Sequence, residues 1–240
     1  MKTAMILAAG LGTRLQPITN TKPKALVEFQ KIPMIVHTIN KLVSFGYEKI
    51  VVNVHHHREI LIDFLKMNDF GVEIVISDEK EDHLQTGGGI KNAKHLFESD
   101  NILVHNVDII SSLEIDKLEE FHLKMNNEIT LAIRKKNDNR VLLFDENLNL
   151  AGWKDKVKQI KIISKNSNFL EEFGFTGIYM ISQRLIEKFP SERKFDIIQF
   201  LLKYSEMNRV SGFIDNSQFW FDLGSEKQIN EAENYFENIK

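Results

Sequence analysis

Four strand-length apolar runs alternate with helix-length amphipathic segments in the first half of the chain. The runs predict strands near Thr3–Ala8, Lys49–Val54, Val72–Ser77 and Asn101–Asn106. Between the first two lies "IPMIVHTINKLVSFG", which predicts a helix with Pro33 in its first turn and Gly46 at its end. Arg58–Met67 and Ile90–Phe97 supply the next two crossovers. Strands alternating with helices build a mostly parallel sheet covered on both faces. Right-handed crossovers then align the carboxyl ends of the strands along one edge, where ligands bind.

Beyond about Asp108 the period changes. A predicted helix at Leu113–Met125 leads into a strand at Ile129–Arg134, and "VLLFDENLNLAGW" signals a hairpin turning near Asp145–Asn147. "KQIKIIS" and "FGFTGIYMI" add short strands, and helices near Asp196–Met207 and Glu226–Asn238 close the chain. There is no internal repeat or low-complexity tract, and four prolines in the whole chain give no flexible tether. The second half therefore reads as a β-rich elaboration of the same sheet, within a single α/β domain spanning residues 1–240.

Composition narrows the function. With 240 residues, 42% hydrophobic and 27% charged, the chain can bury one substantial core. A formal net charge of −3 with both signs interspersed creates no field that would gather nucleic acid or an anionic membrane, so any polyanion must be bound locally. The absence of cysteine removes disulfides, thiolate zinc sites and cysteine nucleophiles, and suits a reducing cytoplasm. No apolar run reaches the roughly 18 to 20 residues of a membrane span and no signal-peptide pattern opens the chain, so a soluble cytoplasmic protein is expected.

The candidate chemistry starts at "LAAGLGTRLQP", directly after the first strand. Gly10 and Gly12 allow a tight turn and close approach of a phosphate to backbone N–H groups. The run is neither a dinucleotide fingerprint, since Leu15 replaces the third glycine, nor a P-loop, since no Gly-Lys-Ser/Thr ends it. Arg14 and then Lys24, the latter stiffened by Pro23, bring two cations toward the end of the first strand.

The run "LAAGLGTRLQPITNTKPKAL", followed in order by "LQTGGGI", "HNVDI", "GFTGIYMI" and "FWFDLGS", resembles the sugar-1-phosphate nucleotidyltransferases, or NDP-sugar pyrophosphorylases. Among short members it is most similar to N-acetylmuramate-1-phosphate uridylyltransferases, with mannose- and heptose-1-phosphate guanylyltransferases as near relations. The resemblance implies a Rossmann-like fold with a nucleotide-binding half (1–108) and a sugar-phosphate-binding half (109–240). It also implies transfer of a nucleotidyl group from a nucleoside triphosphate to a sugar 1-phosphate, with no organic cofactor. Leu7, Ala9, Gly10, Gly12 and Thr13 would then wrap the triphosphate, Arg14 would neutralise the departing pyrophosphate, and Lys24 would sit between the reacting phosphates. Gln85 and Gly88, at a turn opening a helix at Ile90, would meet the base. Glu79 reads equally as a partner for base N–H groups or as a solvated residue of "SDEKED". Gly174, Thr176 and Gly177 fall on the sugar-phosphate side. Mg²⁺ would be shared by Asp108 and Asp222, which should converge at the carboxyl edge opposite the Gly10–Arg14 loop. One departure stands next to this site: Val107 replaces the family's usual glycine.

The phosphocholine-type cytidylyltransferases share the N-terminal motif but lack the Thr-Gly-Gly-Gly turn. A non-catalytic nucleotide- or sugar-phosphate-sensing module is the alternative from another class, and the joint presence of Arg14, Lys24, Asp108 and Asp222 speaks against it. His55–His57 read as a solvated turn rather than a zinc site, because neighbouring side chains at a strand end diverge. The lysines between Lys154 and Lys165 read as the wet face of a strand, and Trp153 either meets a sugar ring or completes the hairpin. The resemblance and the "LQTGGGI" turn favour UTP and N-acetylmuramate 1-phosphate as the substrates, with GTP and mannose or heptose 1-phosphate as the alternative.

Overall fold

A strand that reads TAMIL is apolar toward both faces and is stable only inside a sheet covered on both sides. This strand is β1 (Thr3–Leu7) of the computed structural model, which describes residues 1–136 and 138–239. After it come β2 (Glu28–Phe29), β3 (Ile32–Pro33), α1 (Met34–Ser44), β4 (Lys49–Val54), α2 (Arg58–Met67), β5 (Glu73–Asp78), α3 (Gln85–Ala93) and β6 (Asn101–Asn106). The second half runs β7 (Ile109–Ser111), α4 (Ile115–Lys124), β8 (Ile129–Arg134), β9 (Arg140–Phe144), β10 (Leu150–Asp155), β11 (Ile160–Ile163) and β12 (Glu171–Ser182). It closes with α5 (Gln183–Ile186), α6 (Ile197–Ser205), β13 (Ser211–Ile214), β14 (Trp220–Asp222) and α7 (Glu226–Glu237).

The main sheet has ten strands in the order β11-β10-β9-β12-β6-β1-β4-β5, with β8 pairing β12 and β13 beside this path. β1 is parallel to β4 and β6, β4 is parallel to β5, and β12 returns antiparallel to β6. The chain thus steps from β1 outward to β4 and β5, then crosses back to β6 on the other side of β1. Connections leave β1 and β6 in diverging directions at such a reversal, which opens a crevice beyond the strand ends. Leu7 lies opposite Asn106 in the β1–β6 register, so the loops after both strands start level with one another.

Alternation along β1 divides the core. Met5 packs with Val51, Ile90, Val104, Ile197 and Leu201 on one face, while Ala4 and Ile6 pack with Ile39, Leu42, Val52 and Leu61 on the other. A smaller cluster of Leu15, Val27, Phe29, Met34, Leu223 and Ile229 fastens the loop after β1 to α7. Among the described residues no helix is long and apolar enough to cross a membrane.

Two expectations change. The helix expected at Ile90–Phe97 begins instead at Gln85, and the three glycines lie inside its first turns, buried. Each glycine costs a helix interior about 1 kcal/mol relative to alanine, and here packing overrides that cost. A Cβ on Gly87 would sit 2.2 Å from the Phe195 ring, and one on Gly88 would sit 2.2 Å from the Arg193 carbonyl oxygen. The ladder of β7 with β14 had no sequence signal, being three residues long on each side. It matters because it lays Asp222 opposite Ile109, beside Asp108. The hairpin forms where its turn signal stood: the Asp145 carboxylate accepts from the N–H groups of Asn147 and Asn149 at 3.0 and 2.8 Å.

Candidate active site

Beyond the end of β1 the chain turns at Gly12, whose φ of 65° lies in the left-handed region and whose Cβ would meet Thr19 Cγ2 at 2.8 Å. Gly12 is therefore required by the fold. Thr19 closes the loop by donating to the Gly12 carbonyl at 2.8 Å. Gly10 differs, since a Cβ there would meet no protein atom within 4 Å. Together with Leu7, Ala9 and Lys24 it lines a cleft of about 300 Å³, completed by Asn53, His83, Gln85, Thr86, Asn106, Val107, Asp108 and Asp196. Thr13 stands exposed at the start of the following turn.

Four charged side chains meet at this edge. The Lys24 ammonium is hydrogen-bonded to Asp108 Oδ2, both side chains being about one-seventh exposed. Arg14 lies 3.6 Å from Asp222 Oδ2, and Asp222 Oδ1 accepts from the Gly224 N–H at 2.7 Å. The Leu223 N–H donates to the Asp108 carbonyl at 2.8 Å, tying the two aspartate segments together. Burial is the largest single influence on Asp108 and works against its ionisation, but the Lys24 charge and hydrogen bond, helped by a backbone hydrogen bond and Arg14, together hold the carboxyl below its usual range. Burial and then the negative charge of Asp108 push Asp222 the other way, with Arg14 only partly offsetting them. The two carboxylates thus repel one another although each also faces a cation. Such a pair fits a magnesium ion that completes its shell with phosphate oxygens and water.

Val107 causes no disturbance at its position. It is buried in the core, and its N–H donates to the Leu7 carbonyl at 3.2 Å, so the strand end is held by the ladder rather than by a glycine conformation.

Other expected site residues have structural partners. Glu79 is only 3% exposed, not solvated, and does not line the cleft. Its carboxylate accepts from Asn53 Nδ2 at 2.7 Å and from the Leu84 N–H at 3.0 Å, while Asn53 Oδ1 accepts from the Ala8 N–H at 2.7 Å. Glu79 therefore ties the end of β1 to the start of α3. Burial raises its pKa, and these hydrogen bonds oppose the shift. Gly88, expected to meet the base, is held within the protein: the N–H groups of Gly87 and Gly88 both donate to the Phe195 carbonyl, at 3.0 and 3.2 Å. Gln85, with φ of 63°, is the residue of that segment on the cleft wall.

On the sugar-phosphate side, Thr176 is fully buried, and its hydroxyl donates to the Ala132 carbonyl at 2.8 Å, so its side chain offers nothing to a ligand. Gly177, at φ 81°, lets β12 pass Asn106, whose Nδ2 would be 2.9 Å from a Cβ. Gly174 leaves room for Lys136, whose Cε would lie 2.0 Å from such a Cβ. Sequence reading missed Lys136. Its ammonium stands 3.6 Å over the Trp220 ring, pairs with Asp138 at 2.7 Å and feels the charge of Asp222. The signal was present as the basic run Arg134–Lys136, which begins at the end of β8 opposite Gly174 in β12.

The histidine run also acts within the protein. His56 and His57 donate through Nε2 to the Thr19 carbonyl at 3.3 and 3.2 Å, and His55 donates to the Glu79 carbonyl at 2.7 Å. They brace the loop that carries Gly12 and Arg14. Lys154 and Lys156 pair with Glu172 at 2.8 and 2.9 Å, while Trp153 lines a separate, larger cleft.

Comparison with known proteins bears on the family and the fold. The chain is 45% identical over 112 residues to the N-acetylmuramate alpha-1-phosphate uridylyltransferase of Caulobacter vibrioides, covering 45% of this chain and 46% of that protein. It is 31% identical over 235 residues to the mannose-1-phosphate guanyltransferase of Pichia angusta, covering 94% of this chain and 61% of that one. The chain therefore spans from under half to about three-fifths of the length of these curated relatives. The fold matches the crystal structure of HddC from Yersinia pseudotuberculosis with a TM-score of 0.79 at 24% identity, over 98% of this chain and 100% of that one. The nucleotidyl transferase family profile matches residues 3–238. With that match running almost end to end over a sheet whose reversal gathers Arg14, Lys24, Asp108 and Asp222, the chain belongs to the nucleotidyl transferase family.

Proposed function

We propose that this chain transfers a nucleotidyl group from a nucleoside triphosphate to a sugar 1-phosphate, releasing pyrophosphate. The observation that carries the reading is the alternation of two cations and two carboxylates at the crevice between β1 and β6. An oxygen of the sugar phosphate attacks the α-phosphorus, and the bond to the β-phosphate breaks. Such a reaction needs positioning and charge neutralisation rather than a protein nucleophile. Leu7, Ala9, Gly10, Gly12 and Thr13 form the triphosphate side. Lys24 exchanges Asp108 for the phosphate oxygens between which it lies. Arg14 meets the leaving pyrophosphate. Asp108 and Asp222 would hold Mg²⁺, which would supply positive charge to the reacting phosphates. On the sugar-phosphate side Gly174 gives its space to Lys136, the cation that would meet the sugar phosphate, and Gly177 lets β12 pass Asn106.

Within this class the preferred substrates are UTP and N-acetylmuramate 1-phosphate. The identity of 45% with the uridylyltransferase supports that choice. GTP with mannose 1-phosphate is the second reading, favoured by the longer stretch of similarity to the guanyltransferase. The test is a matrix of UTP, GTP, CTP and dTTP against N-acetylmuramate, mannose, heptose and glucosamine 1-phosphates, scored by pyrophosphate with Mg²⁺ and with a chelator. Mg²⁺-dependent pyrophosphate release led by the UTP and N-acetylmuramate pair is expected. A GTP and mannose maximum selects the second reading, and binding without turnover for any pair selects the sensing module.

A further inference from the structure

A cleft of about 690 Å³ lies between α6 and the β9–β11 end of the sheet. Asp196 belongs to its wall and to that of the catalytic cleft, so the two adjoin. Val141, Leu142, Trp153, Ile162, Phe175 and Leu202 make the wall mostly apolar. An apolar wall with an indole suits methyl groups and a ring face. A plain hexose would lose hydration of its hydroxyls there without gaining partners.

The charged residues on this wall are not equivalent. Asp196 is already engaged, accepting from the N–H groups of Ile198 and Gln199 and from the Thr86 hydroxyl. Lys203 and Glu206 contribute one charge of each sign. Arg140 remains. The β9–β12 register, with Leu142 opposite Phe173, carries Arg140 toward the end of β12 that reaches Gly177 and the catalytic edge. Asp155, opposite Arg140 in the β9–β10 ladder, is 3% exposed and accepts from Arg140 Nε at 3.2 Å. Its other oxygen accepts from the N–H groups of Val157 and Lys158 at 3.0 and 2.9 Å, which fixes the carboxylate, and the largely exposed Arg140 is tethered to it through Nε. A guanidinium held by Nε keeps both terminal nitrogens outside that contact. Those two nitrogens form the fork that grips a second carboxylate in parallel hydrogen bonds.

We propose that Arg140 determines acceptor specificity by binding a carboxylate on the sugar, so that the cleft takes an acidic, acylated sugar 1-phosphate rather than a neutral hexose 1-phosphate. The inference rests on the reading of the chain as a transferase for N-acetylmuramate 1-phosphate, whose lactyl ether carries such a carboxylate. N-acetylglucosamine 1-phosphate is the matched control, since it lacks only the lactyl group. Steady-state kinetics at saturating UTP on the full chain should show Arg140→Met raising KM for N-acetylmuramate 1-phosphate by about 10- to 100-fold, the scale of losing a charged hydrogen-bonded pair. Turnover at saturation should change little, KM for N-acetylglucosamine 1-phosphate should hold, and Arg140→Lys should recover part of the loss. Equal losses on both acceptors, or an unchanged KM for N-acetylmuramate 1-phosphate, overturn the role of Arg140 while the transferase reading stands. A wild-type protein that uses only neutral sugar phosphates overturns the substrate reading and this inference together.

Discussion

Two glycine-bearing stretches of this chain, Gly10–Gly12 and Gly87–Gly89, look alike in sequence and serve different physical needs. In the second, side chains are excluded by the protein itself: the Phe195 ring, the Arg193 carbonyl, and the Asn53–Glu79 pair occupy the places where Cβ atoms would stand. In the first, only Gly12 is excluded in that way, by Thr19 and by its positive φ. Gly10 has open space on a cleft wall lined also by Lys24 and Asp108. A bare backbone can thus mark tight packing or ligand access, and the distinction is made by what a methyl group would touch.

The comparison is tested most strongly at the charged edge. Arg14→Ala or Lys24→Ala should cut turnover by roughly 10²- to 10³-fold, the scale for removing one aimed electrostatic group. Thermal unfolding should stay near the wild-type midpoint, because Arg14 is largely exposed and the Lys24 pair is confined to the cleft. Near wild-type turnover by either folded variant would remove that residue from the phosphate site.

The second test is at the packed glycines. Gly88→Ala forces a methyl group against a backbone carbonyl that cannot rotate away, and overpacking of this kind costs about 1 to 3 kcal/mol. Denaturant unfolding should show that loss, while turnover per folded molecule stays within a few-fold of wild type. Unchanged stability with lost activity would reverse the assignment and return Gly88 to the ligand surface.

These outcomes bear on why the sequence was readable in some places and not in others. The four parallel strands were legible as short continuous apolar runs, and α1 and α2 between them by their amphipathic period. Asp108 was legible because it follows an apolar strand, and Asp222 because of its motif. The β7–β14 ladder that joins them is a non-local pairing of two three-residue segments, too short to have a period. The start of α3 was misplaced because its glycines answer to Phe195 and Arg193, about a hundred residues away in sequence. Glu79 stood evenly between a base contact and water for the same reason. Its charged neighbours suggested water, whereas its partners Asn53 and Leu84 lie on different elements and enclose it. Lys136 was overlooked because its significance depends on facing Gly174 and Trp220, contacts that only the folded sheet creates.

The smallest effect, and the sharpest separation of the two stretches, is expected at Gly10. Its φ is not in the left-handed region, so alanine can adopt the same backbone without strain. The added methyl group meets no protein atom within 4 Å. Replacing glycine under these conditions removes conformational freedom from the unfolded chain, so Gly10→Ala should stabilise the fold by about 0.4 to 1 kcal/mol. The same methyl group narrows the cleft where a phosphate would approach the backbone, and KM for the triphosphate should rise by about 10-fold, as for the loss of one neutral hydrogen bond. Stability and binding then move in opposite directions at one residue. Equilibrium unfolding and KM measured on the same preparation would show this directly. A destabilised Gly10→Ala protein would give Gly10 a packing role like that of Gly88. A stabilised protein with unaltered KM would mean that the triphosphate does not approach the chain at this position.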